Sequence, residues 1–279
     1  ESAVTAGYTG NPVLSVSDVS VTEGNVGQTQ LIFVVNLSGP AGSTLNIAYS
    51  ILLGSATSAD GDYEELVNQT LTINQGELTA RIAVNVLGDN KYEGHEQFIL
   101  SLDNPFGAGF ITAFGTITND DPIPTISIAD SVPPSTLDDK GNRIYLVDEI
   151  EPGAFVVSLS NPSQFPISVQ WRTDVAVGST GLVAANAATP SGFPGADYTI
   201  AFGLLTFEPG ETSQVIHVTH LPDSLDEFDE HYYVDLFNPT YARIDDGRAY
   251  GIIADDDKPV SVSIAPAGAP PLVFFTSVT

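Results

Sequence analysis

Short apolar runs, broken at short intervals by turn-forming residues, pattern the chain from end to end. Val13-Leu14-Ser15-Val16, Leu31-Ile32-Phe33-Val34-Val35, Leu45-Asn46-Ile47-Ala48-Tyr49 and Leu71-Thr72-Ile73 are rich in β-branched, aliphatic and aromatic residues. Gly39-Pro40 and Asn74-Gln75-Gly76 separate such runs, supplying the backbone angles that tight turns require. Further runs cover residues 80–86, 97–102, 125–128, 215–219 and 232–236. No window sustains a helical period. Regular strand spacing with turn signals predicts an all-β sandwich architecture.

The pattern occurs twice. Asp62-Tyr63 returns 135 positions later as Asp197-Tyr198, Asp89 and Glu93 return 134 later as Asp223 and Glu227, and Asp121 returns 136 later as Asp257. A repeat of about 135 residues is the size of a domain rather than of a solenoid unit. The expected division is a lead-in over 1–12, one domain over 13–122, a second over 123–258, and a tail or truncated third start over 259–279, where Val260-Ser261-Val262-Ser263-Ile264 resembles a new first strand. The second copy is longer through residues 178–195, which reads as an inserted loop.

Charge changes the picture. The 279 residues carry 35 acidic against 8 basic side chains, a net charge of −27. Nucleic-acid binding needs a basic footprint and is therefore not expected. Solubility accounts for much of the acidity, but not for its concentration in two equivalent stretches, Gly88 to Glu96 and Pro222 to Glu230. Two like charges ~4 Å apart cost about 4 kcal/mol at an effective dielectric of 20, so a cation should sit among them. All-oxygen ligands point to a hard ion, and Ca2+ accepts about 6–8 oxygens in flexible geometry. There is no cysteine and no methionine, hence no thiol chemistry. No stretch is long and apolar enough for a membrane span. The start at Glu1 suggests a processed protein or an excised fragment.

The blocks Thr22-Glu23-Gly24, Gly61-Asp62-Tyr63, Asp89 to Phe98 and Thr116-Ile117-Thr118-Asn119-Asp120-Asp121 together resemble the Calx-beta domain. So do Asp148-Glu149, Ala196-Asp197-Tyr198, Asp223 to Tyr232 and Ile252-Ile253-Ala254-Asp255-Asp256-Asp257 in the second copy. The resemblance implies two tandem immunoglobulin-like antiparallel β-sandwiches, with Ca2+ held at one end of each. Carried over, it implies ligands at Glu23, Asp62, Asp89, Glu93, Glu96, Asn119, Asp120 and Asp121, and at Glu149, Asp197, Asp223, Glu227, Glu230, Asp255, Asp256 and Asp257. Asn119 stands where the family often has a third terminal Asp, Gly88 where some members carry another, and Pro222 replaces the corresponding acid in the second copy.

Side chains alternate faces on a strand, so Asp255, Asp256 and Asp257 can converge only past a strand end. His217 and His220 are expected to face opposite sides and both be exposed. Trp171 is expected in the core. Asp138 to Asn142 reads as an ordinary turn. No nucleophile elbow, phosphate loop or zinc signature is present. The expected function is non-enzymatic: a Ca2+-binding segment of an extracellular or cell-surface protein that spaces neighbouring domains. The alternatives are an adhesin module with a sugar or protein ligand near Phe193, and an intracellular Ca2+ sensor of a transporter.

Overall fold

The computed structural model describes residues 11–137, 143–145, 149–175, 188–192 and 195–257. Most of the lead-in, the turn at 138–142, Asp148, most of the inserted loop including Phe193, and the tail over 259–279 lie outside them. The first eight strands are β1 (Leu14–Val16), β2 (Val19–Thr22), β3 (Gly27–Leu37), β4 (Leu45–Leu52), β5 (Gln69–Ile73), β6 (Thr79–Gly88), β7 (Glu96–Asp103) and β8 (Phe110–Thr118). They form two sheets, ordered β1-β3-β6 and β2-β8-β7-β4-β5. The next ten are β9 (Thr125–Ile128), β10 (Ser135–Leu137), β11 (Arg143–Tyr145), β12 (Gly153–Leu159), β13 (Ile167–Val175), β14 (Phe202–Phe207), β15 (Ser213–Val218), β16 (Glu230–Thr240), β17 (Arg243–Asp246) and β18 (Arg248–Ile253). They give sheets ordered β15-β12-β9-β17 and β14-β13-β16-β18, plus a β10-β11 hairpin that the pattern did not announce.

Alternation builds both sandwiches. On β3, Leu31, Phe33, Val35 and Leu37 point inward while Ile32, Val34 and Asn36 point out. On β12, Phe155, Val157 and Leu159 do the same. The two cores are separate, and each is built round an equivalent aromatic pair. Phe98 packs on Tyr63 at 4.9 Å, and Tyr232 stacks on Tyr198 at 4.6 Å. Each ring stands next in sequence, or next but one on the same strand face, to a carboxylate of the repeated stretches. The aromatic core thereby fixes where those carboxylates emerge. Trp171 lies partly buried against the second core.

Among the described residues most strand pairings are antiparallel, but each sandwich contains one parallel strand pair, β2 with β8 and β9 with β17. The first matters for function. Because β2 and β8 run the same way, Thr22 and Thr118 end side by side. Glu23 and Asp120 therefore leave the sheet at the same edge. In the second sandwich only Ser131 bridges Gly251 at that position, and the chain passes through the hairpin before it delivers Glu149. Among the described residues no helix is long and apolar enough to cross a membrane.

Candidate metal centres

Among the described residues, four groups of three acids have carboxylate oxygens within 4.8 Å of one another, two in each sandwich. In the first they are Glu23, Asp120 and Asp121, and Asp62, Glu93 and Glu96; in the second, Glu149, Asp255 and Asp257, and Asp197, Glu227 and Glu230. Twelve of the sixteen predicted ligands are thus brought together, at corresponding places. Asp89 and Asp223 lie beside these groups, each carboxylate accepting a hydrogen bond from the backbone two residues on, Lys91 N and Leu225 N, at 2.7 Å. Asn119 uses its carboxamide on the backbone of Asp121. Asp256 borders both Glu149 and Asp257, and its charge adds to burial in raising their pKa.

The local chain explains the convergence. Asp62 accepts a hydrogen bond from Thr57 N at 2.6 Å while its own N–H donates to Thr57 O. Asp197 makes the same reciprocal pair with Thr189 across a longer loop. Glu96 and Glu230 open β7 and β16, and the period of two places each on the inward face with Phe98 or Tyr232. Past β8, Gly24 N donates to Asp120 and Asn25 Nδ2 to Asp121. Past β18, Glu227 N donates to Asp255, and Asp255 N to Asp229. Asp255, Asp256 and Asp257 indeed follow the last residue of β18, Ile253.

Crowding and burial leave a strong imprint. Glu23 is only 3% exposed. Burial, then the charges of Glu93, Asp89, Asp121 and Asp120, push its carboxyl up to about 8. Glu230 reaches about 8 through burial and a hydrogen bond to Asp197. Glu96 reaches about 7 through burial, opposed by its hydrogen bond from Gln164 and reinforced by Asp62. Glu149 also reaches about 7, chiefly through burial. In both copies the facing aspartate, Asp62 or Asp197, adds to burial in raising the glutamate's pKa. Glu23 Oε1, Asp121 Oδ2 and Asp257 Oδ2 are buried without any hydrogen-bond partner. An unpartnered buried carboxylate oxygen is costly. All-oxygen groups with orphaned oxygens fit a hard cation such as Ca2+.

The two acidic loops differ in surroundings. Loop 89–96 is covered by residues 160–165 of the second sandwich. Tyr92 N donates to Pro162 O and Gln164 N to Tyr92 O, both at 2.9 Å. The Gln164 carboxamide accepts from Gly94 N at 3.2 Å and donates to Glu96 Oε1 at 2.5 Å. Phe165 lies between Tyr92 and Tyr241, and Asn161 holds Pro122 O in the connection. Loop 223–229 is exposed throughout. Gln164 was not legible as a site residue, because a lone glutamine in a turn carries no signal. Gly88 has a steric reason: a Cβ there would meet Gly24 O at 2.1 Å, so no acid can occupy it. His217 is exposed as expected, but His220 is buried, with Nε2 3.0 Å from Tyr232 Oη. The two histidines do face opposite sides, and one side is the core.

The fold is a tandem β-sandwich whose paired acid groups stand at corresponding places in the two copies and could hold a metal ion. The chain belongs to the Calx-beta domain family, whose model matches residues 11–119 and 167–257. Glu149 falls between the two matched segments. Sodium/calcium exchanger 3 from Mus musculus is 24% identical over 225 residues, which are 75% of this chain and 22% of the exchanger. The chain thus spans about a fifth of that relative's length. Among solved structures, CBD12 from CALX1.2 is 17% identical, covering 86% of this chain and 98% of its own, with a TM-score of 0.35. The apo-form Calx CBD1 domain is 22% identical, covering 49% of this chain and 100% of its own, also with a TM-score of 0.35.

Proposed function

We propose that this chain is a Ca2+-binding spacer in which the ion at the first sandwich fixes the second relative to it, with a domain division at Pro122. The observation that carries the reading is the Gln164 contact: the second domain holds Glu96, a carboxylate of the first domain's acid groups. An ion among Glu23, Asp120 and Asp121, whose neighbours include Asp89 and Glu93 of loop 89–96, also orders the loop on which residues 160–165 rest. The linker is short and contains Pro122 and Pro124, which restrict the backbone further. The ligands are those named above, with Asp62, Glu93, Glu96 and Glu23, Asp120, Asp121 in the first domain and their counterparts in the second. Small-angle scattering of the metal-stripped and Ca2+-saturated chain tests it. Ca2+ should narrow the interdomain distance distribution, and an unchanged distribution under saturating Ca2+ rejects the spacer role.

The similarity to an exchanger favours a second reading, a Ca2+ sensor. Affinity separates them: extracellular modules bind at ~10⁻⁴–10⁻³ M and sensors at ~10⁻⁷–10⁻⁵ M. Calorimetric titration of the chelated protein gives the constant directly.

A further inference from the structure

We propose that Lys91 is a tethered cation that takes one Ca2+ position in the first domain, leaving it one ion short of the second. This rests on the Ca2+ reading above. The two acid groups of the first domain are partnered unequally. In the group of Asp62, Glu93 and Glu96, every carboxylate has a protein partner. Thr57 N donates to Asp62 Oδ2, Lys91 Nζ lies 2.5 Å from Glu93 Oε1, and Gln164 Nε2 donates to Glu96 Oε1. In the neighbouring group, Glu23 Oε1 and Asp121 Oδ2 have none. One cluster has an ammonium of the protein's own among its carboxylates; the other has only the neutral donors Gly24 N and Asn25 Nδ2, and two of its buried oxygens go unpartnered.

The position of Nζ makes the competition direct. Ca2+ sits about 2.3–2.6 Å from carboxylate oxygens, which is also the Lys91–Glu93 separation. An ammonium and an ion cannot share that place. The backbone of Lys91 is held beside the cluster by its N–H to Asp89 Oδ1, and the side chain reaches Glu93.

The second domain lacks the device. The offset of 134 puts Leu225 opposite Lys91, and Leu225 is 54% exposed. The corresponding loop has Asp223, Asp226, Glu227, Asp229 and Glu230 with no basic residue, against Asp89, Glu93 and Glu96 with Lys91 in the first. Both acid groups of the second domain are therefore open to ions. Lys91 is a specificity-determining residue, setting ion count rather than contributing a ligand.

Titration of the metal-stripped full chain with Ca2+, with ions counted by calorimetry and by native mass spectrometry, tests this. Lys91→Met should take up one more Ca2+ than the wild type, and Leu225→Lys one fewer. Circular dichroism establishes that each variant folds. Should Lys91→Met not fold, Leu225→Lys, at an exposed position, decides alone. A count equal to wild type in either folded variant overturns the proposal while leaving Ca2+ binding intact. A wild-type chain that takes up no Ca2+ overturns the underlying reading as well.

Discussion

Loops 89–96 and 223–230 follow the same kind of strand, end in the same Glu-x-aromatic step, and place glutamates against the same Asp-Tyr pair. Around that shared frame almost everything differs. The first loop carries its own ammonium and lies under the second domain. The second carries two additional aspartates, and its Phe228 is 77% exposed. The placement of the acids is thus set by the sandwich core, which both copies keep, whereas charge balance is set by loop residues and neighbours, which they do not. Without an ion, the second loop has the stronger unrelieved repulsion.

The largest expected consequence is unequal stabilisation. Ligand at 100 times its dissociation constant stabilises a fold by about 2.7 kcal/mol per site, several degrees for a domain of this size. Scanning calorimetry in EDTA and in millimolar Ca2+ should show both domains shifting, the second further. Equal shifts would remove the distinction between the loops. Next in size is loss of a ligand. Glu230→Gln should weaken Ca2+ binding in the second domain roughly tenfold or more, about 1.4 kcal/mol, and leave the first unchanged. Two binding phases in a titration report this, and a coordinate change in both would mean that the sites are not independent.

A smaller effect follows from pH. Glu23 and Glu230 hold protons to about 8, and Glu96 and Glu149 to about 7, against 4.5 for an ordinary glutamate. Between those limits the unfolded chain is deprotonated while the fold keeps its protons. The ion-free protein should therefore be most stable below about 4.5 on this account and lose stability as pH rises towards 8. Ca2+ displaces those protons. Melts at stepped pH should slope downward in EDTA and flatten in Ca2+, with proton release visible as a buffer-dependent heat of binding. The smallest effect is Gln164→Met, which keeps the side chain's length but loses both hydrogen bonds. It should weaken the first site by about fivefold, at the low end of typical intersite coupling, with the second site unaffected.

The strands and the repeated acids were legible in the sequence because both obey short-range rules. Inward positions such as Phe33 and Val35 repeat every second residue, and Asp62-Tyr63 and Glu93-x-x-Glu96 recur at one offset. Glu149 is reached only through the β10-β11 hairpin, so resemblance to the family points to its partnership with Asp255 and Asp257 where spacing along the chain does not. Gln164 and His220 were not legible for a different reason. Their roles depend on what lies across a contact between distant segments, Glu96 in one case and Tyr232 in the other. Nothing in Asn161-Pro162-Ser163-Gln164 or in His217-x-x-His220 states what will face it.

Gly88 shows how a backbone crossing can limit what mutation is able to reach. A carboxylate at that position would be the most obvious way to strengthen the first site, a single codon change for many glycine codons. Yet the first carbon of any side chain would strike Gly24 O at 2.1 Å, before the acid group itself matters. A saturation library at residue 88, selected only for folding, should return glycine almost alone. Tighter ion binding in this domain would have to be evolved elsewhere in the loop.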